Sequence, residues 1–119
     1  MNGKVRQVIT YGDYFLEFFK KQPPKVRDKI VKVLDIIEHL SVIPATYLKH
    51  IEGTNGLYEA RIQLGNSIFR IFCFFDGQQF VVLLTGFQKK TQKTPKAEIQ
   101  RAVKLMKQYY QEKKGESEQ

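Results

Sequence analysis

Basic residues concentrate in one short stretch near the C-terminus, TGFQKKTQKTPKAEIQ, at residues 85–100. Four lysines fall within eight residues of it: Lys89, Lys90, Lys93 and Lys96. The first acidic residue after this lysine segment (residues 89–96) is Glu98. A solvated loop does not require so many like charges, whereas a site that binds a phosphate group gains from them. The segment follows an apolar run at 80–84 and precedes a helical pattern, so it indicates a phosphate-binding junction between a strand and a helix.

A second candidate feature is a pair of arginines, Arg61 and Arg70, in two neighbouring strand patterns. If Gly65-Asn66 is a two-residue hairpin loop, Arg61 lies directly opposite Arg70. Like charges in that position destabilise a sheet. Either Glu59 neutralises one arginine diagonally, or the pair is retained because a phosphate binds between two guanidinium groups. We favour the second interpretation and expect Arg70 to face outwards from the core.

The same register predicts which side of the hairpin is buried. Apolar or aromatic pairs occupy the face opposite the arginines: Tyr58 with Cys73, Ala60 with Ile71, and Ile62 with Phe69. The helices are expected to cover only that face, which leaves the arginine face partly open. If the chain turns over the open face after the last strand, the lysines join the arginine pair in one basic cleft. The N-terminus of the following helix adds positive potential there.

The elements that position these residues follow from hydrophobic periodicity and turn chemistry. A strand is predicted at 4–10, a helix from the N-cap Asp13 to Lys21, and an amphipathic helix at 25–40 after Pro23-Pro24. Three strands are predicted at 57–64, 67–75 and 79–87, with Asp76-Gly77 as the second hairpin turn. Thr94 is expected to cap the last helix, with Pro95 at its first position. The buried stripe of that helix is predicted to be Ile99, Ala102, Val103, Met106 and Tyr110.

These predictions define an α+β fold: an N-terminal strand and helix pair, an antiparallel three-strand meander and a C-terminal helix. We expect a single domain over residues 1–119, with a core at about 4–111 and a frayed tail after about Glu112.

Composition restricts the function classes. The net charge is +8, from 20 basic and 12 acidic residues, which favours an anionic partner and nucleic acid first. The one cysteine, Cys73, excludes a disulfide within the chain and a Cys-rich metal site. The chain has no apolar run long enough to span a membrane and no signal-peptide pattern, so a cytoplasmic location is expected.

Three stretches carry a resemblance to a known family: GLYEARI at 56–62, IFRIFCFF at 68–75, and GFQKKTQKTPKAEI at 86–99. They resemble a phage-derived family of HigB-type toxins within the RelE/ParE superfamily of bacterial toxin–antitoxin systems. The resemblance extends over about residues 5–110, and the GF-x-KKT-x-KTP run is its most specific part. The order of strand, helix pair, meander and helix is also similar to the RelE-like fold.

The resemblance implies a metal-independent endoribonuclease without a cofactor that cleaves mRNA in the ribosome. The ribose 2′-OH attacks the adjacent phosphodiester and leaves a 2′,3′-cyclic phosphate and a 5′-OH. The implied partners are a HigA-like antitoxin with a helix-turn-helix domain, the ribosome and mRNA. The catalytic candidates are Arg61, Arg70, Lys90 and Lys93.

The roles of these residues follow from the chemistry. Arginines stay charged and suit stabilisation of the transition state. A lysine that serves as the base needs a lowered pKa: neighbouring cations lower it and a bound phosphate raises it. The identity of the base therefore stays open between Lys90 and Lys93.

Further candidates for RNA binding are three lysines and two aromatic residues: Lys49, Lys89, Lys96, Phe72 and Phe87. Phe72 and Phe87 either stack a base on the open face, cover the sheet, or meet the antitoxin. Related toxins use histidine, aspartate or a C-terminal tyrosine near the phosphate. Here His39 and His50 are expected to be solvated or structural, and Tyr109 and Tyr110 to pack in the core.

Two other functions stay open at this point. A ParE-like toxin would bind DNA gyrase instead of cutting RNA, and a non-catalytic RNA-binding module would share the same charge pattern. The basic cluster and the arginine pair favour RNA cleavage, but fold does not settle function.

Overall fold

The computed structural model describes residues 3–117, which form a five-stranded sheet flanked by three helices. The elements in chain order are β1 (Gln7–Thr10), α1 (Tyr14–Lys20), α2 (Pro24–His39), β2 (Leu48–His50), β3 (Tyr58–Leu64), β4 (Ser67–Asp76), β5 (Phe80–Lys89) and α3 (Lys96–Ser117). The strand order across the sheet is β1-β5-β4-β3-β2. The predicted α+β class is confirmed.

The helix pair forms where the sequence predicts it. Pro23 lies at the N-cap of α2 with extended backbone, and Pro24 occupies the first turn, where its missing N–H costs nothing. The buried stripe of α2 is Val26, Ile30, Val33 and Ile37. Together with Phe15 of α1, this stripe packs on one face of the sheet, over Ala60, Ile62, Phe69, Ile71 and Cys73. The predicted core side of the hairpin is therefore confirmed.

The register of the first hairpin is also confirmed. Leu64 pairs with Ser67, and the pairing continues without a shift as far as Tyr58 with Cys73. Gly65 has a φ of +61°, while no described non-glycine residue has a positive φ. A glycine with positive φ at the first loop position is the requirement of a type II′ turn, which matches the twist of the two strands. Arg61 lies directly opposite Arg70 as a result.

The prediction that the helices cover only one face of the sheet is wrong, because α3 lies on the opposite face. Helix α3 packs over it through Ala102, Leu105 and Met106, and this second core includes Leu57, Phe72, Phe74, Val82 and Leu84. The periodicity of the last helix indicated an apolar stripe but not the face of the sheet that receives it. The part of this face beyond Phe72, towards the β3–β4 turn, carries the arginine pair.

Two strand pairings lie outside the predicted meander. Strand β1 pairs in parallel with β5, and the short strand β2, in the connection at 41–55, pairs antiparallel with β3. The second hairpin has a three-residue loop at 77–79, with φ of +65° at Gly77, so β5 begins at Phe80. The pairing between β4 and β5 is irregular between Ile71 and Cys73, so two residues of β5 lie opposite Phe72.

The last helix differs from the prediction at its N-terminus. It begins at Lys96, and the Pro95 carbonyl accepts hydrogen bonds from the N–H groups of Glu98 and Ile99. Thr94 therefore lies one residue before the N-cap, and its hydroxyl donates a hydrogen bond to Glu59 instead of capping the helix. At its C-terminus the helix extends to Ser117, and fraying after about Glu112 stays a prediction. Of the predicted stripe, Tyr110 is 42% exposed, and Leu105 is buried in its place.

Candidate functional site

The arginine pair (Arg61 and Arg70) converges on one carboxylate. Oε2 of Glu59 lies 3.0 Å from Nε of Arg70 and 3.4 Å from Nε of Arg61. Of the two interpretations of the pair, neutralisation by Glu59 is therefore found, and Glu59 contacts both arginines instead of one. The contact with Arg70 has the distance of an ion pair without the alignment of a hydrogen bond, since Nε of Arg70 has no hydrogen-bond partner.

The two arginines differ in burial. The side chain of Arg61 is 31% exposed and that of Arg70 only 7%. Arg70 does not face outwards from the core as expected, since its side chain is almost completely buried and contacts the equally buried Glu59. Burial lowers the pKa of Arg70, whereas the Glu59 carboxylate raises it and Arg61 lowers it further.

A cavity of about 360 Å³ opens beside the pair. Its lining consists of Lys29, Thr46, Tyr47, Arg61, Ile62, Gln63 and Arg70. It therefore combines three basic residues with polar groups at the edge of β3 beyond its pairing with β2. Lys29 was not a sequence candidate; its position on α2, between Val26 and Ile30 of the buried stripe, gave no sign that it reaches this edge.

The lysine segment crosses the sheet towards the arginine pair. Oγ1 of Thr94 donates a 3.4 Å hydrogen bond to Oε1 of Glu59. Because β4 separates β5 from β3, the chain must pass over β4 to make this contact. Such a path is the condition for one basic cleft at the arginine pair, and the cleft itself stays a prediction. Lys90, Lys93 and Lys96 are exposed on it, and none of the four lysines lines the cavity beside the arginines.

Strand register places two further candidates on the arginine face. Lys49 on β2 lies opposite Glu59, and Lys89 lies opposite Ile68, two residues along the strands from the pair of Arg70 and Phe87. Two residues along a strand correspond to about 7 Å. Lys49 is exposed and Lys89 half-buried. These two lysines thus flank the arginine pair from opposite directions.

The two aromatic candidates have different environments. Phe72 is completely buried under α3, so the expectation that it stacks a base is wrong, and it covers the sheet instead. Phe87 lies opposite Arg70 and is half-buried, with its ring centroid 5.4 Å from that of Phe72. Of these two candidates, only Phe87 therefore offers part of a ring surface beside the arginine pair.

The residues set aside in the sequence have structural contacts. Nδ1 of His39 lies 2.8 Å from the Asp35 carbonyl oxygen, and the ring of His50 packs edge-on against Tyr58. Cys73 is fully buried, which raises its pKa to about 12 and makes it a poor nucleophile.

Tyr109 belongs to a polar contact at the far end of α3. Its hydroxyl donates to Oδ2 of Asp76 at 2.5 Å, and Nζ of Lys113 lies 2.6 Å from the same oxygen. This contact fixes α3 to the end of β4.

Two further observations concern residues 3–117 as a whole. No three His, Cys, Asp or Glu side chains in this part of the chain come together as a group that could hold a metal ion. No helix within it has the length and apolar character required to cross a membrane.

The fold is similar to that of a solved archaeal protein. The crystal structure of the RelE–RelB complex from Pyrococcus horikoshii OT3 matches with a TM-score of 0.52 at 18% sequence identity. The match covers 69% of this chain and 92% of the archaeal chain. This likeness concerns the fold alone.

The sequence itself establishes the family. Residues 17–107 match the family described as phage derived protein Gp49-like (DUF891), and the chain belongs to that family. A comparison with curated proteins gives no match. The predicted phage-derived family and RelE-like fold are thereby confirmed at this level.

Proposed function

We propose that this protein is the toxin of a type II toxin–antitoxin system and an endoribonuclease that cleaves mRNA at the ribosome. The observation that carries the proposal is the convergence of Arg61 and Arg70 on one oxygen atom, Oε2 of Glu59, beside a cavity of about 360 Å³. Two guanidinium groups that hold one carboxylate have the geometry to hold phosphate oxygens as well. The HigB-type resemblance and the RelE-like fold support the same function.

The proposed reaction is an intramolecular transesterification of RNA. The 2′-oxygen forms a bond to the adjacent phosphorus, the bond from phosphorus to the 5′-oxygen breaks, and a 2′,3′-cyclic phosphate and a 5′-OH result. One group removes the proton from the 2′-OH, and another donates a proton to the leaving 5′-oxygen. Charge on the non-bridging oxygens increases in the transition state, where the two arginines stabilise it.

The lysine segment supplies the remaining candidates. Lys90 and Lys93 lie on the part of the chain that crosses towards Glu59, so either can approach a phosphate held at the arginine pair. Lys49, Lys89 and Lys96 surround the same face and fit contacts to neighbouring phosphates, which position RNA without reading its sequence. Phe87 is the candidate for contact with a base.

The proposed partner is a HigA-like antitoxin with a helix-turn-helix domain. The archaeal neighbour was crystallised as a complex of RelE with RelB, which supports an antitoxin partner for a chain of the same fold. A net charge of +8 favours an acidic partner surface. The proposed location is the cytoplasm, where ribosomes and mRNA are found.

The test is induced expression in a bacterial host with transcript ends mapped by primer extension. Wild type is compared with Arg61→Gln, which removes a half-exposed charge at the site, and with Lys32→Gln, which removes an exposed charge on α2. We expect cuts confined to translated frames in wild type and Lys32→Gln and a strong loss in Arg61→Gln. Growth arrest with intact transcripts would contradict the proposal and favour a gyrase-type target.

A further inference from the structure

A buried carboxylate lies between the two arginines, and the proposed reaction assigns it no step. The side chain of Glu59 is only 10% exposed, and its charge cancels one of the two positive charges beside it. If charge alone determined phosphate binding, a neutral residue at this position would bind RNA more tightly. The carboxylate therefore needs another explanation.

The contacts of Glu59 fix one edge of each guanidinium group. Oε2 contacts Nε of both arginines, while Nη1 of Arg61 donates to the Ala45 carbonyl at 3.3 Å and Nη1 of Arg70 to the Phe69 carbonyl at 3.1 Å. Within residues 3–117, neither Nη2 atom has a hydrogen-bond partner. Each guanidinium is thus held at two of its three nitrogens, and the third is left for a ligand.

The second oxygen of Glu59 connects the arginine pair to the lysine segment. Oε1 accepts the hydrogen bond from Oγ1 of Thr94, the residue after Lys93. The chain just before this point is folded on itself, since Oγ1 of Thr91 donates to the Lys93 carbonyl at 2.7 Å. One carboxylate therefore contacts the two arginines on the sheet and the segment that carries Lys90 and Lys93.

We infer that Glu59 is a positioning residue for RNA cleavage, an inference that rests on the proposed function. Through Oε2 it holds the arginine pair together against mutual repulsion, with both Nη2 atoms free for a phosphate. Through Oε1 it holds the lysine segment at the same place. Glu59 neither transfers a proton nor touches the substrate; it fixes the distance between the groups that do.

The central experiment separates binding from cleavage in Glu59→Gln. This change keeps the size of the side chain and raises the formal net charge from +8 by one. We expect an RNA with a 2′-deoxy group at the cleavage site to bind at least as tightly as to wild type. We expect the single-turnover cleavage rate of the matching RNA on ribosomes to fall about tenfold or more.

A matched pair at Thr94 tests the second contact and avoids any loss of folding at the buried carboxylate. Thr94→Val keeps the shape and removes the hydroxyl, whereas Thr94→Ser keeps the hydroxyl. We expect Thr94→Val to lower the cleavage rate severalfold without weaker binding, and Thr94→Ser to restore the rate. A merely structural role would not separate these two variants in rate at equal melting temperature.

A third measurement does not depend on cleavage. The Nε–Hε signals of Arg61 and Arg70 in ¹H–¹⁵N spectra should be distinct in wild type, with that of Arg70 protected from exchange by burial, and both should broaden or move in Glu59→Gln. This readout still tests the positioning if wild type cleaves no RNA, in which case only the proposed function fails. Faster cleavage in Glu59→Gln would overturn the inference, because the carboxylate would then compete with the phosphate. Equal losses of binding and cleavage would also overturn it.

Discussion

Arg70 and Glu59 meet inside the protein, with Nε and Oε2 3.0 Å apart and side chains that are 7% and 10% exposed. Removal of two charges from water costs several kcal/mol for each ion, so each member of the pair depends on the other. Arg61 makes the same kind of contact at 3.4 Å with 31% of its side chain exposed. Both arginines thus contact Glu59, but their substitution should change the free energy of unfolding by different amounts.

We predict that Arg70→Ala destabilises the protein by about 3–5 kcal/mol, because it leaves Glu59 buried with only a partial counter-charge. Arg61→Ala should cost about 1 kcal/mol or less, since water already screens its contact with Glu59. Urea unfolding followed by circular dichroism gives both values. Equal losses of stability in the two variants would contradict the prediction that the difference in burial determines the cost.

The matched control for this prediction is a variant that removes both charges. Glu59→Leu combined with Arg70→Met replaces the buried ion pair with apolar side chains of similar size. Because no unpaired charge then remains, the double variant should recover most of the stability lost in Arg70→Ala. A double variant that is as unstable as Arg70→Ala would assign the loss to packing instead of charge.

The contact between Gly86 and Phe18 gives a second prediction. A Cβ atom added at Gly86 would lie 2.5 Å from the Phe18 ring, where α1 packs on β5. Gly86→Ala should therefore cost about 1–3 kcal/mol by overpacking. Gly115→Ala is the control, because nothing lies within 4 Å of its added Cβ and alanine favours the helix. Unfolding curves should show a loss for the first variant and no loss for the second.

Local chemistry explains why the first hairpin could be predicted from the sequence. Gly65-Asn66 fixed the loop length, and with it all the pairs from Leu64–Ser67 to Tyr58–Cys73. The Arg61–Arg70 pair is one consequence. The second hairpin was predicted less well, because Asp76-Gly77 also occurs beside longer loops, and the loop has three residues here.

Strand pairings between distant parts of the chain could not be predicted from local turn residues. The parallel pairing of β1 with β5 depends on the whole fold, and β2 has only three residues, too few for a periodic pattern. The coverage of Phe72 by α3 likewise depends on which face of the sheet the helix meets. The sequence therefore indicated the arginine pair but not its burial, nor the approach of Lys29 to the same cavity.

The contact of Asp76 with Tyr109 and Lys113 of α3 should stabilise the protein in a pH-dependent way. Hydrogen bonds from Lys113 and then Tyr109 lower the pKa of Asp76, which the folded state therefore holds ionised more strongly than the unfolded chain does. The resulting stabilisation is complete above the pKa of the unfolded group, about 3.9, and is lost as pH falls below that value. The melting temperature of wild type should exceed that of Asp76→Asn at pH 6, and the difference should shrink at pH 3.

Asp28→Asn is the control for this prediction, because Asp28 is exposed on α2 and surface substitutions have small effects. It should change the melting temperature little at either pH. A difference between wild type and Asp76→Asn that stays constant from pH 6 to pH 3 would exclude ionisation of Asp76 as its source.

The last prediction concerns the two exposed lysines proposed for catalysis. Lys90→Ala and Lys93→Ala should each lower the cleavage rate on ribosomes more than they weaken ribosome binding. Substitution of the lysine that serves as base or acid should lower the cleavage rate about 100-fold or more. Lys114→Ala removes an equally exposed charge from the last turn of α3 and should leave the rate unchanged. Single-turnover kinetics and sedimentation with ribosomes give the two quantities. Equal losses of rate and binding would make both residues contacts for phosphate only, and the proton transfers would then have to come from other groups at the arginine pair.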